Sequence, residues 1–292
     1  MINYTLDTAA APLWHMPASG TSGADCFRYD EGTKSYRFIG ALHAFPASPG
    51  KPFNASLASG IDPVGSDRYL IFLPLRKHVV AASVGVLGTG DIEQDRAYGA
   101  DGITVNGRKP IIWYGTSIDQ GGVASRPGAT YTNILTRSLG RAVLNFGFAG
   151  NGMDEISVME WLVKLPAALI VIDCLPNLTP EEVSNRTVPL VNFLRAHGHA
   201  TTPVVLAAGT TYGNHWFAPA LNDEKRAALL VEYRKLVAAG DANLHLVANH
   251  DDALFAYDEL VNPTVGGTHP SDLGHREIAA FYEKYLPELI AD

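Results

Sequence analysis

The feature that most constrains the fold is a regular alternation of apolar runs and amphipathic segments from about residue 107 onward. Strands are predicted over 109–114, 142–146, 168–174, 202–208 and 243–248. Helices are predicted over 128–139, 153–164, 180–196, 222–239 and 271–285, the last with Ser271 as its N-cap. Strands that are apolar on both faces and alternate with helices predict a parallel sheet covered on both sides. The expected class is a three-layer α/β domain.

The first third of the chain has a different pattern. Short apolar or alternating runs over 35–42, 69–75 and 79–87 are separated by Gly, Pro, Ser and Asp, without a helical period. This pattern predicts a small antiparallel β-domain, with a long loop over 44–65. We therefore predict two domains, residues 1–106 and residues 107–292.

Charge and hydropathy exclude several classes of partner. The 292-residue chain has a formal net charge of −8 and no basic run, which argues against nucleic acid and against an anionic membrane surface. Its apolar runs are far shorter than the roughly 18 residues of a membrane span.

The N-terminus and the cysteines indicate the cellular compartment that is expected for the protein. Residues 1–7 lack the basic start and apolar core of a secretory signal, so a cytoplasmic location is expected. Two cysteines, Cys26 and Cys174, are too few for a disulfide framework. Both are expected to be small buried hydrophobic residues.

Polar residues follow several predicted strands at the point where each strand ends. Ser117 follows the first strand, a glycine-rich segment over 145–152 contains the end of the second, and Asn177 follows the third. His269 lies just before the last helix. Because the carboxyl ends of parallel strands meet at one sheet edge, these residues are expected to lie together.

These residue types suit acyl transfer. A serine hydroxyl is a weak nucleophile until an imidazole accepts its proton, and Ser117 and His269 would form that pair. The negative oxygen of a tetrahedral intermediate needs preorganised donors, such as backbone N–H groups or a side-chain amide. No phosphate-binding loop or complete dinucleotide fingerprint is present, so no cofactor is expected.

The four blocks over 114–128, 145–152, 173–177 and 267–274 resemble those of the SGNH, or GDSL-type, hydrolase superfamily. The resemblance covers about residues 109–290 and implies a flavodoxin-like parallel sheet. Upstream, Gly23-Ala24-Asp25-Cys26-Phe27 resembles a degraded Gly-x-Asp-Leu-Tyr signature. That signature belongs to a β-sandwich domain that precedes the catalytic domain in one bacterial branch.

The resemblance implies a role for each site residue. Ser117 would be the nucleophile and His269 the general base. The backbone N–H groups of Ser117 and Gly150, with the side chain of Asn177, would form the oxyanion hole. Neither a metal nor a cofactor is implied.

One position departs from the family pattern. Gly266 stands three residues before His269, where the family usually has Asp. Three interpretations remain open. His269 could be oriented by a backbone carbonyl or by another acid such as Asp272, the catalytic pair could be Asp272 and His275, or the site could be degraded and only bind. Asp272 therefore joins Ser117 and His269 as a candidate catalytic residue.

The expected function is a serine esterase that removes an acetyl or other short acyl group from a carbohydrate or small metabolite. The alternatives are a non-catalytic carbohydrate-binding protein and an acyltransferase. The N-terminal domain could shape the substrate cleft, because ligand sites favour domain interfaces, or serve in sugar binding or dimerisation. Residues 209–216 could add substrate contacts. The sequence leaves a homo-oligomer open.

Overall fold

The computed structural model describes residues 1–7, 14–42, 50–61, 67–87, 91–210, 212, 218, 220–248 and 263–290. In chain order, its N-terminal elements are β1 (Ile2–Leu6), α1 (Ala18–Ser22), β2 (Asp25–Asp30), β3 (Ser35–Ala41), β4 (Phe53–Ala55), β5 (Tyr69–Phe72) and β6 (Val79–Val84). They form two three-stranded antiparallel sheets, in the orders β4-β1-β6 and β3-β2-β5.

The two antiparallel sheets share a small apolar core. Tyr4 and Leu6 from β1 and Cys26 from β2 are buried in it. Alternate residues of β1 are buried, which is the pattern of a strand with one covered face. The predicted β-sandwich is confirmed. The boundary at residue 106 stays a prediction.

The strands and helices of the rest of the chain alternate as predicted. They are β7 (Ile111–Thr116), α2 (Ser117–Gln120), α3 (Tyr131–Leu139), β8 (Val143–Phe148), α4 (Ile156–Leu162), β9 (Leu169–Asp173), α5 (Pro180–Ala196), β10 (Val204–Ala207), α6 (Ala220–Ala238), β11 (Leu244–Val247), β12 (Thr264–Val265), β13 (His269–Pro270) and α7 (Asp272–Tyr285). Short 3-10 turns occur at Pro127–Ala129, Leu175–Asn177 and Leu286–Glu288.

The central sheet is five-stranded and parallel, in the order β11-β10-β9-β7-β8. Its two faces are covered by separate apolar cores. Ile112 and Tyr114 of β7 face one core, and Ile111 and Trp113 face the other. The predicted three-layer α/β fold with a flavodoxin-like sheet is confirmed. β7 lies between β8 and β9, where the order reverses and where ligands bind in such sheets.

Several predicted boundaries were wrong, for local reasons. The first strand of this sheet runs on to Thr116, two residues beyond its predicted end. α3 begins at Tyr131 instead of 128, because Thr130 caps it by accepting a hydrogen bond from Asn133 N. β4 lies inside the predicted loop over 44–65, where it pairs with β1. Ser271 caps α7 as predicted, by accepting from Gly274 N.

A buried ion pair joins the two halves of the molecule. Asp25 in β2 accepts hydrogen bonds from Arg126 and from Gly128 N, and its side chain is fully buried. The guanidinium of Arg137 lies 4.1 Å from the ring centre of Phe27. These contacts dock the antiparallel sheets against α3 and the segment between α2 and α3.

Cys26 and Cys174 are buried and reduced, as expected. Among the described residues, no helix combines the length and apolar character that a membrane crossing requires.

Candidate active site

Ser117 is the first residue of α2, directly after the central strand β7. Thr116 caps this short helix, and its hydroxyl accepts from Ile118 N at 3.2 Å. Asp119 completes a capping box by accepting from Thr116 N. The strand-to-helix turn therefore presents Ser117 at the carboxyl edge of the sheet in a fixed backbone conformation.

Asp119 is fully buried beneath the nucleophile turn, and the sequence analysis missed it. Its carboxylate accepts from Nε1 of Trp113 at 2.8 Å and from the hydroxyl of Tyr131. The pattern Thr-x-x-Asp directly after an apolar strand was the signal that could have revealed it. Asp119 ties the nucleophile turn to the hydrophobic core.

Asp173, at the end of β9, lies next to Asp119. Burial raises the pKa of both carboxyls, and Asp173 is raised further by the charge of Asp119 and by a hydrogen bond to it. Two buried carboxylates repel one another, which favours the protonated form of one of them. Of the two, Asp173 shows the stronger rise in pKa.

Ser117 and His269 meet although 152 residues separate them. The Oγ of Ser117 lies 2.9 Å from Nε2 of His269, which is hydrogen-bond distance. His269 is carried by a small hairpin in which it pairs with Val265. Gly266 and Gly267 form its turn, both with positive φ. The glycines allow the tight reversal that returns the imidazole to the sheet edge.

The environment of His269 favours its neutral form. Burial, assisted by the charge of the neighbouring His15, holds the pKa of His269 below its ordinary value. A neutral imidazole that accepts at Nε2 carries its proton on Nδ1. This is the tautomer that a general base facing Ser117 requires.

Asp272 does not contact the imidazole. Its carboxylate accepts from the backbone N–H of Ser125 at 2.7 Å and from the hydroxyl of Ser125. In the described part of the chain, no hydrogen bond to Nδ1 of His269 is found. The structure thus brings Ser117 and His269 together, whereas Asp272 is hydrogen-bonded to the segment that follows α2.

His275 is buried in α7, where its ring packs against Tyr131. Its Nδ1 accepts from Tyr131 N at 3.4 Å, and burial lowers its pKa to about 4. An Asp272–His275 pair therefore has no support from the geometry. His275 is therefore a buried residue of the protein core.

The predicted oxyanion-hole residues lie on the loops that flank Ser117. Gly150 follows β8 with a φ of 69°, and Asn177 follows β9. A Cβ at Gly152 would lie 2.1 Å from Gly115 O, so this loop crosses directly over the end of β7. The side-chain amide of Asn177 donates to Asn151 O, which joins the two loops.

A residue from the N-terminal half also reaches the site. The ring of His15 stacks on that of His269, with centroids 4.8 Å apart and planes 24° apart. Trp14 packs edge-on against His15 and is 86% exposed. The sequence analysis missed both residues, because no motif marks them and the contact exists only after the two halves have docked.

Two further predictions concern the 209–216 segment and metal binding. Most of the 209–216 segment lies outside the described residues, so its predicted substrate contacts stay untested. Within the described ranges, no cluster of three or more His, Cys, Asp or Glu side chains is arranged to hold a metal ion.

A sequence model of the GDSL-like lipase/acylhydrolase family matches residues 108–287, the range that forms the parallel sheet and carries Ser117 and His269. The chain belongs to this family. No curated protein matches the sequence.

Solved structures agree with this assignment. A protein described as a GDSL-like lipase, from Bacteroides ovatus, is 26% identical with a TM-score of 0.85, covering 99% of this chain and 80% of its own. A salicylyl-acyltransferase from a tetracycline biosynthetic pathway is 17% identical with a TM-score of 0.66, covering 99% and 79%. A family two carbohydrate esterase from Clostridium thermocellum is 12% identical with a TM-score of 0.60, covering 98% and 88%. The last two share the fold.

Proposed function

We propose that this protein is a serine esterase that hydrolyses a short acyl ester, an acetyl ester above all, on a carbohydrate or small metabolite. The observation that carries the proposal is the 2.9 Å contact between Ser117 Oγ and Nε2 of His269. Membership of an acylhydrolase family supports the same reaction class.

The reaction would proceed through an acyl-enzyme. Nε2 of His269 takes the proton of Ser117 as Oγ attacks the ester carbonyl, and a tetrahedral oxyanion forms. His269 then gives this proton to the leaving alcohol as the carbon–oxygen bond breaks. Water attacks the acyl-serine with the same base, which releases the acid and restores the hydroxyl of Ser117.

The oxyanion would be held by donors from three loops. Ser117 N belongs to the first turn of α2, whose N–H groups have no acceptor within the helix. Gly150 N would be the second donor and the side-chain amide of Asn177 the third. That amide has two hydrogens, so one can bond Asn151 O while the other faces the substrate.

The exposed face of Trp14 supports a carbohydrate as the alcohol part of the substrate. The indole of Trp14 packs on His15, and His15 stacks on His269. A wide apolar surface therefore lies close to the imidazole that would act as the base. Pyranose rings present apolar C–H faces that stack on aromatic rings. A structural neighbour of this chain is a carbohydrate esterase solved with cellohexaose.

A non-catalytic binding protein is the rival function. Binding alone requires no hydroxyl within hydrogen-bond distance of a neutral imidazole, and that contact therefore favours the enzyme. An acyltransferase would share the first half of the reaction and differ only in the acceptor that replaces water.

A fluorophosphonate probe tests the proposal, because it labels only an activated serine. The wild type should be labelled and should release p-nitrophenol from p-nitrophenyl acetate. Ser117→Ala should lose the labelling and at least about 1,000-fold of the hydrolysis. The matched control is Ser184→Ala, at an exposed position on α5, which should keep both. An unlabelled, well-folded wild type would favour the binding protein.

The substrate class is tested with Trp14→Ala. We expect KM for an acetylated sugar to rise while KM for p-nitrophenyl acetate changes little, because the small aryl ester does not need the indole face. A rise that is equal for both substrates would contradict the carbohydrate proposal. Product analysis with added alcohols would distinguish hydrolysis from acyl transfer.

A further inference from the structure

The catalytic imidazole is contacted on two sides by different parts of the chain. Its Nε2 edge faces Ser117, and one ring face is covered by His15 at a centroid distance of 4.8 Å. His15 lies in the segment just before α1, in the N-terminal half. The plane of His269 is therefore constrained by a residue outside the parallel-sheet domain.

Ring contacts hold His15 itself in place. Trp14 packs on it at a centroid distance of 4.8 Å and an angle of 68°. Nδ1 of His15 is buried and has no hydrogen-bond partner among the described residues. His15 is thus held by its two ring neighbours, Trp14 and His269.

Gly266 lies beside this arrangement. It stands where the related family usually has the acid that orients the base, and its φ of 65° favours glycine. A Cβ at Gly266 would lie 3.6 Å from Cη2 of Trp14, so the indole covers that position. The Trp14–His15 segment thus lies in contact with the position where the related family usually has the carboxylate.

We propose that His15 is a positioning residue, whose ring stacks on His269 and holds Nε2 toward Ser117 in place of the orienting carboxylate. The proposal rests on the proposed function, because it assigns His15 a task in that reaction. A stacked ring restricts the tilt of the imidazole, and misplacement of a reacting group by about 1 Å can cost about 100-fold in rate.

The charges around His269 agree with this role. Burial lowers the pKa of His269, and the charge of His15 lowers it further. Among the residues that the structure describes, the other titratable groups near His269 both lie on α7. Asp272 is held by Ser125, and His275 is buried and bonded to Tyr131 N. Removal of His15 therefore changes the electrostatics of the base at the loss of its ring contacts with His269 and Trp14.

Two substitutions separate the ring of His15 from its charge. His15→Phe keeps an aromatic face on His269 and cannot be protonated, whereas His15→Ala removes the face. Three quantities are measured for each variant and the wild type: fluorophosphonate labelling rate between about pH 5 and pH 9, kcat and KM for p-nitrophenyl acetate, and the titration of the His269 ring by NMR. The NMR signal is assigned from its absence in His269→Gln.

In His15→Ala we expect kcat and the labelling rate to fall by about 10-fold to 100-fold with KM little changed. His15→Phe should keep most of the rate near pH 8, because the face is retained. Its acid limb should move to higher pH, because the pKa of His269 rises once the opposing charge is gone. Circular dichroism and thermal unfolding check that both variants are folded.

Two results would overturn the proposal. One is a folded His15→Ala variant whose labelling rate, kcat and pH profile match the wild type. The other is a His15→Phe variant as slow as His15→Ala, because the aromatic face would then not be what matters. Failure of the proposed function looks different. The wild type would not be labelled, while the NMR titration would still report whether His15 acts on His269.

Discussion

Every residue of β7 and β9 is buried, whereas five of the six residues of β6 are exposed. The parallel sheet is covered on both faces, so its polar residues meet solvent at the strand ends, and the candidate site lies there. The antiparallel sheets cover a small core and attach to the other half through a few contacts, such as Asp25 with Arg126. In the reaction that we propose, the first region carries the chemistry and the second adjusts it through His15.

The largest expected effect tests whether the chemistry belongs to the edge of the parallel sheet. His269→Gln removes the base, and kcat/KM for p-nitrophenyl acetate should fall by about 1,000-fold to 10,000-fold. His197→Gln is the matched control, because that imidazole is exposed at the end of α5, and it should leave kcat/KM unchanged. Equal losses in the two variants would contradict the assignment.

The next prediction concerns the attachment of the antiparallel sheets. Asp25→Ala leaves Arg126 without its buried partner and should lower the free energy of unfolding by about 3–5 kcal/mol. Asp30→Ala breaks the exposed pair with Arg37 and should cost much less. Chemical denaturation measures both. If the two losses were similar, the buried contact would not be what fastens the two halves.

Asn177→Ala tests the loops that flank the nucleophile. Loss of one oxyanion donor should lower kcat by about 100-fold to 1,000-fold with KM nearly unchanged. Asn185→Ala, at an exposed position on the neighbouring helix α5, is the matched control. A change confined to KM would show that Asn177 contacts the substrate in its ground state only.

The smallest effect concerns the buried pair of Asp119 and Asp173 below the nucleophile. The raised pKa of Asp173 means that the folded protein keeps a proton that the unfolded chain loses above about pH 4. The free energy of unfolding therefore falls as the pH rises from there through the raised value. Asp173→Asn cannot titrate, so its stability should decline less between about pH 5 and pH 8.

Urea denaturation at several pH values would measure this difference. Asp91→Asn, at an exposed position, should follow the wild type at every pH. If Asp173→Asn were as pH-dependent as the wild type, Asp173 would not be the residue that carries the proton.

Local patterns were sufficient for the elements of the parallel sheet. The apolar run before Ser117 has the pattern of a buried strand, and Ser271 marked the start of the last helix. Boundaries were less certain, because caps such as Thr130 depend on single hydrogen bonds. β4 was missed because a three-residue strand has too little periodicity to be seen before it pairs with β1.

The sequence by itself determined the fold class, through the alternation of apolar strands and amphipathic helices. It also determined the sheet edge and the pairing of a serine with a distant histidine, through the polar residues at strand ends. Only the tertiary structure decided what surrounds the histidine. Asp272 turned to Ser125, and His15 reached the imidazole from the other half of the chain. Such contacts depend on how two domains dock, and docking is set by shape and burial across the interface, which no local pattern records.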